Sequence, residues 1–235
     1  MAAKKKPITT TSFEQAPKDL DGHPFYGFDL DEDQVAFRNA IWDPSIKIVW
    51  CDAAAGSGKT LVSFATANLM YHYHLYDGIV YIVSSYGEKR MGYLPGDITT
   101  NSEVYMEPLY QAIIKCNEDP FRVVNTDSMV SQKGGDGYVT AITHTFLRGT
   151  NLENKVIIID EAQNYTVDEL RKTITRISDS CKVIIIGHHL QCDIEERSGF
   201  TSYLEYFRQF PEAKVCELKT NHRGWISRTA DAFVG

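Results

Sequence analysis

The sequence predicts an α/β fold, a three-layer sandwich with a mostly parallel central sheet between helices. Three observations carry this. Short branched apolar runs recur in "KIVW", "GIVYIVSS", "KVIIID" and "CKVIIIG", as strands buried on both faces of a parallel sheet require. Segments with helical period lie between them, the alternation that builds a layered α/β domain. Several runs end in polar or charged tips, where open α/β sheets place their ligand groups.

Length and composition bound the fold to one such unit. The 235 residues can bury a substantial core, and residues 23–235 read as a single domain behind a flexible N-terminal arm, residues 1–22, that has no hydrophobic period. A net charge of −7 argues against a surface that is wholly a nucleic-acid glove and leaves room for a local basic groove. The five cysteines, Cys51, Cys116, Cys181, Cys192 and Cys216, are odd in number and three sit in or beside apolar runs, the pattern of reduced, mostly buried thiols. No apolar run approaches a membrane span, and Lys4-Lys5-Lys6 precedes polar residues rather than a signal-peptide core. A cytoplasmic protein with no membrane partner is expected.

In chain order, "FYGFDLDEDQVAFRNAIWDP" predicts a helix after Asp31, with Val35, Phe37, Ala40 and Ile41 for packing and Asp43-Pro44 closing it. Gln34 lies on this helix. Its amide can both donate to and accept from an adenine edge, making it a base-reading candidate against the alternative of an ordinary exposed glutamine. "KIVWCDAAAGSGKTLVSFATANLM", Lys47 to Met70, then reads as strand, small-residue loop and helix. Glycines there let backbone N–H groups face an anion, a lysine reaches the β- and γ-phosphates, and a hydroxyl holds Mg²⁺. Ala55, Gly56, Ser57, Gly58, Lys59, Thr60 and Leu61 are the expected nucleotide-binding residues. Ala53 stands where such loops open with glycine, which requires a backbone conformation that a Cβ accepts.

Beyond the cradle, His72 and His74 are two apart and face different sides of a helix end, which disfavours a metal role. "GIVYIVSS" is a second buried strand, followed by Gly87-Glu88-Lys89-Arg90 and a loop from Met91 to Asp97. "SEVYMEPLYQAIIKC" reads as a helix with Ser102 as its cap, "PFRVVN" as a short strand, and Gly134 to Gly137 as turn-rich. "YVTAITHTFLRGTNLEN" leads to the next strand.

"KVIIIDEAQN" is the second anchor: Asp160 ends a strand where Mg²⁺ would sit opposite Thr60, and Glu161 can accept the proton of an attacking water. "VDELRKTITRI" places acids first and bases last, as a helix dipole favours. In "CKVIIIGHHLQCDIEE" the tip brings Gln191 beside the γ-phosphate to orient water. His188, His189, Cys192 and Asp193 raise a zinc reading, against which stands their crowding within six positions. The last stretch gives a helix, a stop at Pro211 and a strand from Lys214 to Leu218. Arg223 and Arg228 then read either as charges that complete a nucleotide site, in cis or across a subunit boundary, or as surface arginines.

From Asp31 onward the ordered motifs resemble the PhoH-like family of ATPases, whose nucleotide domain is similar to the first motor domain of superfamily 1 helicases. Besides the phosphate loop, Gln34, "GEKRMGYLPGD", "EPLY", "FLRGTNLEN", "IIIDEAQN", Thr175-Arg176, "GHHLQCD", "RSGF" and "NHRG" carry the likeness. The resemblance implies a RecA-like P-loop NTPase that hydrolyses ATP with Mg²⁺. It implies Lys59 and Thr60 on phosphate and metal, Asp160 and Glu161 as the acidic pair, and Gln191 as the phosphate sensor. Arg148 and Arg176 are basic positions of the same pattern. RNA or single-stranded nucleic acid as partner, and a homo-oligomer in the form of a hexameric ring, are further implications. Three departures stand out: Ala53 for glycine, His188 where the family carries aspartate, and His222-Arg223 in reversed order.

The catalytic candidates are therefore Lys59, Glu161, Gln191 and Arg223, and the metal ligands Thr60 and Asp160. The strand from Lys182 to Gly187 is expected between the cradle strand and the Asp160 strand. A single motor domain leaves ATP open on one side, so closure is expected from a neighbouring subunit, with Arg223 as the shared residue. Lys89, Arg90, Tyr93, Arg148 and Lys155 are expected to flank the ligand end as nucleic-acid contacts. A protein-remodelling or regulatory ATPase and a small-molecule kinase are the alternatives. Glu161 beside Asp160 suits water activation better than transfer to an acceptor.

Overall fold

The structure is a computed structural model that describes residues 15–84, 98–125, 137–143, 152–194 and 197–231. Its centre is a seven-stranded sheet in the order β3-β4-β2-β5-β6-β1-β7, and every pairing in it is parallel. The strands are β1 (Ile48–Ala53), β2 (Ile79–Val83), β3 (Val124–Asn125), β4 (Val139–Thr143), β5 (Val156–Ile159), β6 (Lys182–Gly187) and β7 (Ala213–Leu218). As expected, β6 lies between β1 and β5.

Alternation along the strands divides the core into two layers. Val49, Cys51, Tyr81, Val83, Ile158, Ile184 and Ile186 face one side. There they meet helices α1 (Glu32–Trp42), α2 (Lys59–His72) and α3 (Ile98–Lys115). Trp50, Val80, Ile82, Ile157, Ile159, Val183 and Ile185 face the other side, toward α5 (Val167–Ile174) and α6 (Phe200–Phe207). On that second face Trp50 stacks flat on Tyr203, with centroids 6.2 Å apart and planes within 3°. Short α4 (Pro120–Val123) and terminal α7 (Trp225–Asp231) complete the elements.

Local chemistry explains several boundaries. Asp31 caps α1 through a capping box: its carboxylate accepts the Gln34 N–H at 2.8 Å, and Gln34 Oε1 accepts the Asp31 N–H at 3.1 Å. Thr166 and Glu169 repeat the device at the start of α5. Ala53 ends β1 with its side chain fully buried and is not among the residues of positive φ. The left-handed turns fall instead on Gly56 (φ 69°) and Gly58 (φ 80°), so the missing first glycine takes nothing from the loop.

Four expectations change. Residues 15–22 of the expected arm pack onto the domain: Leu20 is buried and the Pro17 carbonyl accepts Trp42 Nε1 at 3.1 Å. "PFRVVN" begins as the turn of helix α4 rather than as strand, because the Asp119 carboxylate accepts the Phe121 N–H at 3.0 Å and Pro120 occupies the first helical position. Ser102 lies inside α3, which starts at Ile98. "YVTAIT" holds a strand of its own, β4. The expectations for residues 1–14, the "GEKRMGYLPGD" loop with Lys89, Arg90 and Tyr93, Gly134 to Asp136, and Arg148 lie outside the described residues.

Candidate nucleotide and metal site

The carboxyl ends of β1 and β5 deliver the two halves of a site. After β1 the chain turns through Ala54 to Gly58 into α2, with Gly58 as the left-handed N-cap. No acceptor among the described residues takes the N–H of Gly56 or Gly58. The first N–H groups of α2, from Lys59 to Leu61, are free by helix geometry. Such convergent donors at a helix N-terminus favour an anion. Ser57 Oγ points the same way, as a buried hydroxyl in the loop with no partner among the described residues. The loop thus fits a phosphate group.

Asp160, 1% exposed, follows β5 directly. Its Oδ2 accepts two hydroxyls, Thr60 at 2.8 Å and Tyr81 at 2.6 Å, and its Oδ1 accepts the Glu161 N–H at 2.7 Å. Neighbouring oxygen ligands of an octahedral Mg²⁺ ion stand about 2.9 Å apart. The spacing of Thr60 Oγ1 and Asp160 Oδ2 therefore fits the ion. Burial first, and the Asp160 charge next, push the Tyr81 phenol well above its ordinary value, so it remains a donor.

Glu161 occupies the left-handed region (φ 52°), a conformation uncommon outside glycine that costs about 1 kcal/mol or more. The kink turns its carboxylate toward the loop, 3.6 Å from Lys59 Nζ. Burial and the adjacent Asp160 charge raise its carboxyl above the usual range, while Lys59 and the bond from Gln163 oppose them. Gln163 links this group to the next strand: its Nε2 donates to Glu161 at 2.5 Å and its Oε1 accepts the His188 N–H at 3.0 Å.

A cleft of about 660 Å³ is lined by Gly56 to Leu61, Glu161, Gln34, Phe28, Leu30, Pro108, His222 and Arg223. Gln34 is 6% exposed and is not an ordinary surface glutamine. Its Nε2 donates to the Ser57 carbonyl at 2.8 Å while its Oε1 serves the capping box. Each end of the amide keeps a second hydrogen-bonding capacity. Arg223, for which the sequence left a role in cis, a role across a subunit boundary and a plain surface position open, lines the cleft of its own chain. The segment around it straps the loop: the His222 N–H donates to Gly56 O at 3.0 Å, and His222 Nε2 meets Asp31 at 2.9 Å.

Other expected members lie apart. Gln191 is exposed in the turn after β6 and is not part of the cleft wall; buried Gln163 stands between Glu161 and that strand instead. Lys155 directly precedes β5, at the end of the sheet away from the loop, where its Nζ donates to Asp77 O at 3.0 Å. Arg176 comes just before β6 enters the sheet, outside the cleft wall. The sequence cluster around His188 divides: the Cys192 thiol donates to Gln163 O at 3.4 Å and Asp193 approaches Asn164, while Asp52 joins the two histidines. Tyr81, Gln163, Phe28 and Leu30 were missed. Tyr81 carries the one polar group in an otherwise apolar strand run, and that was the available signal.

Comparisons with known proteins bear on the family and the fold. Protein PhoH of Escherichia coli K12 is 29% identical over 181 residues, 76% of this chain and 49% of that protein. Protein PhoH2 of Bacillus subtilis 168 is 27% identical over 79% of this chain and 42% of its own length. The chain thus spans about half the length of the curated relatives it matches. Among solved structures, the helicase MrfA bound to DNA aligns with a TM-score of 0.51 at 14% identity, over 94% of this chain and 31% of that one. A DEAD box protein from Methanococcus jannaschii aligns at 0.50 and 16% identity, over 88% and 55%. These structural likenesses concern the fold. The PhoH-like protein family matches residues 30–226, and the chain belongs to that family.

Proposed function

We propose that this protein hydrolyses ATP to ADP and phosphate with Mg²⁺, and that turnover is coupled to RNA or another single-stranded nucleic acid. The observation that carries the reading is the meeting of Thr60 and Asp160 at 2.8 Å beside the Lys59–Glu161 pair at 3.6 Å. A bound Mg²⁺ ion supplies charge neutralisation on the phosphoryl oxygens, and Thr60 and Asp160 would hold it. The free N–H groups of the loop and Lys59 bind the phosphates. Glu161 takes the proton of the attacking water as the water oxygen bonds to the γ-phosphorus and the bond to the β–γ bridging oxygen breaks. Gln163 fixes the Glu161 carboxylate, and Arg223 from the strap neutralises phosphate charge in cis. Phe28 and Leu30 wall the outer cleft beside Gln34, where the base would lie.

The nucleic-acid partner rests on the family and on one surface feature. Trp225, 72% exposed, and Arg228 share a face of α7 just beyond Arg223. A ring for stacking and a cation for phosphate are the parts that single-strand binding uses. The helicase MrfA is bound to DNA in its structure, and here that likeness bears on fold. Self-association into a ring and a cytoplasmic location belong to the same reading. Among the described residues no helix is long and apolar enough to cross a membrane.

The test is phosphate release measured alone, with single-stranded RNA, single-stranded DNA or duplex, and with small phosphate acceptors. Basal release stimulated by single strands, with binding that weakens steeply as salt rises, is the expected result. ADP formation only when an acceptor is present would replace the hydrolase with a kinase. No strand binding at low salt would favour a protein target for the exposed Trp225 and Ile226.

A further inference from the structure

The carboxyl ends of β1 and β6 carry a second group of side chains, separate from Thr60 and Asp160. Asp52 pairs in register with Gly187, so His188 and His189 leave β6 directly beside the Asp52 carboxylate. One ligand atom from each of Asp52, His188 and His189 lies within 4.8 Å of the other two. We propose that these three residues bind a divalent transition-metal ion of the zinc class, at a site distinct from the Mg²⁺ position.

Two imidazoles and a carboxylate are a nitrogen-rich donor set that suits Zn²⁺, Co²⁺ or Ni²⁺, whereas Mg²⁺ prefers oxygen alone. Tetrahedral donors at zinc distances stand about 3.4 Å apart, so small side-chain rotations close the site. Asp52 already orients His189: its Oδ2 is 2.6 Å from the ring Nδ1 and its Oδ1 accepts the His189 N–H at 3.2 Å. His188 is anchored by its backbone bond to Gln163 at 3.0 Å. Its Nδ1 accepts the Leu190 N–H at 3.2 Å, a long contact that coordination would exchange. Side-chain exposures of 25% for Asp52 and 47% for His189 leave the ion a route from solvent and room for a water in the fourth position.

Calorimetric titration with Zn²⁺, and absorption of Co²⁺ in its tetrahedral band, are read on the full chain without nucleotide. Failure of the ATPase reading leaves this measurement untouched. One saturable ion per chain is expected, undisplaced by excess Mg²⁺. Asp52→Asn and His189→Gln should each weaken binding at least ~10-fold, with circular dichroism and thermal unfolding used to verify that both variants fold. A Lys59→Ala protein should bind the metal as the parent does. Absence of a saturable site overturns the proposal. So does affinity unchanged in both variants, which would place the ion on other histidine–carboxylate pairs such as His72–Glu118 or His222–Asp31.

Discussion

Tyr81 and Gln163 touch residues whose types announced their chemistry, yet neither announced itself. Lysine, threonine and acids at fixed offsets are legible because phosphate and Mg²⁺ chemistry demands them. A buried tyrosine in "GIVYIVSS" reads as core until β2 is placed next to β5 and its hydroxyl is found 2.6 Å from Asp160. Tyr81→Phe removes a donor to a buried carboxylate, a loss of about 1.5–3 kcal/mol. It should lower the unfolding free energy and raise the Mg²⁺ concentration for half-maximal turnover, with Mg²⁺-free nucleotide affinity unchanged. Equal Mg²⁺ dependence would remove Tyr81 from positioning Asp160. Gly56→Ala tests the loop, since a Cβ there would stand 2.6 Å from Asn221 Oδ1 at a φ of +69°. Backbone strain and displacement of the strap should reduce nucleotide affinity about tenfold or more, measured by fluorescent-nucleotide titration.

Helix α1, the phosphate loop and the terminal strap act as one clamp. Gln34 serves the cap of α1 and the Ser57 carbonyl at once, and His222 joins Gly56 of the loop to Asp31 of the cap. Gln34→Ala should destabilise the fold by about 1–2 kcal/mol through the lost cap and buried bond. It should also weaken nucleotide binding; a thermal scan and a titration separate the two effects. The sequence showed the helix after Asp31 through its packing positions Val35, Phe37, Ala40 and Ile41 and the Asp43-Pro44 stop. It left the strap unread, because "TNHRG" carries no periodicity and its position depends on β7 lying at the edge next to β1. "PFRVVN" was legible only in its second half: Val124 and Asn125 form β3, but Asp119 and Pro120 start a helical turn that takes in Val123 before it.

At the scale of the molecule, the parallel sheet was legible because four apolar runs could only be strands buried on both faces, and their polar tips had to share one edge. The place of β6 between β1 and β5 was legible as well; what escaped was the register, which sets Asp52 opposite Gly187 and so beside His188 and His189. Burial also sorts the thiols. Cys51, Cys116, Cys181 and Cys216 are buried and Cys192 is exposed, and burial pushes Cys116 up to about 12 and Cys216 to about 11. A thiol reagent applied to the native protein should modify Cys192 quickly and the other four only on unfolding, and Cys192→Ser should abolish the fast phase. Rapid reaction of several thiols would contradict the packed core. The most direct test of ATP hydrolysis at this site pairs turnover with binding in Glu161→Gln. Phosphate release should fall by roughly 100-fold or more while ATP affinity stays within about threefold of the parent, and undiminished release would contradict the assignment of Glu161 as the group that activates water.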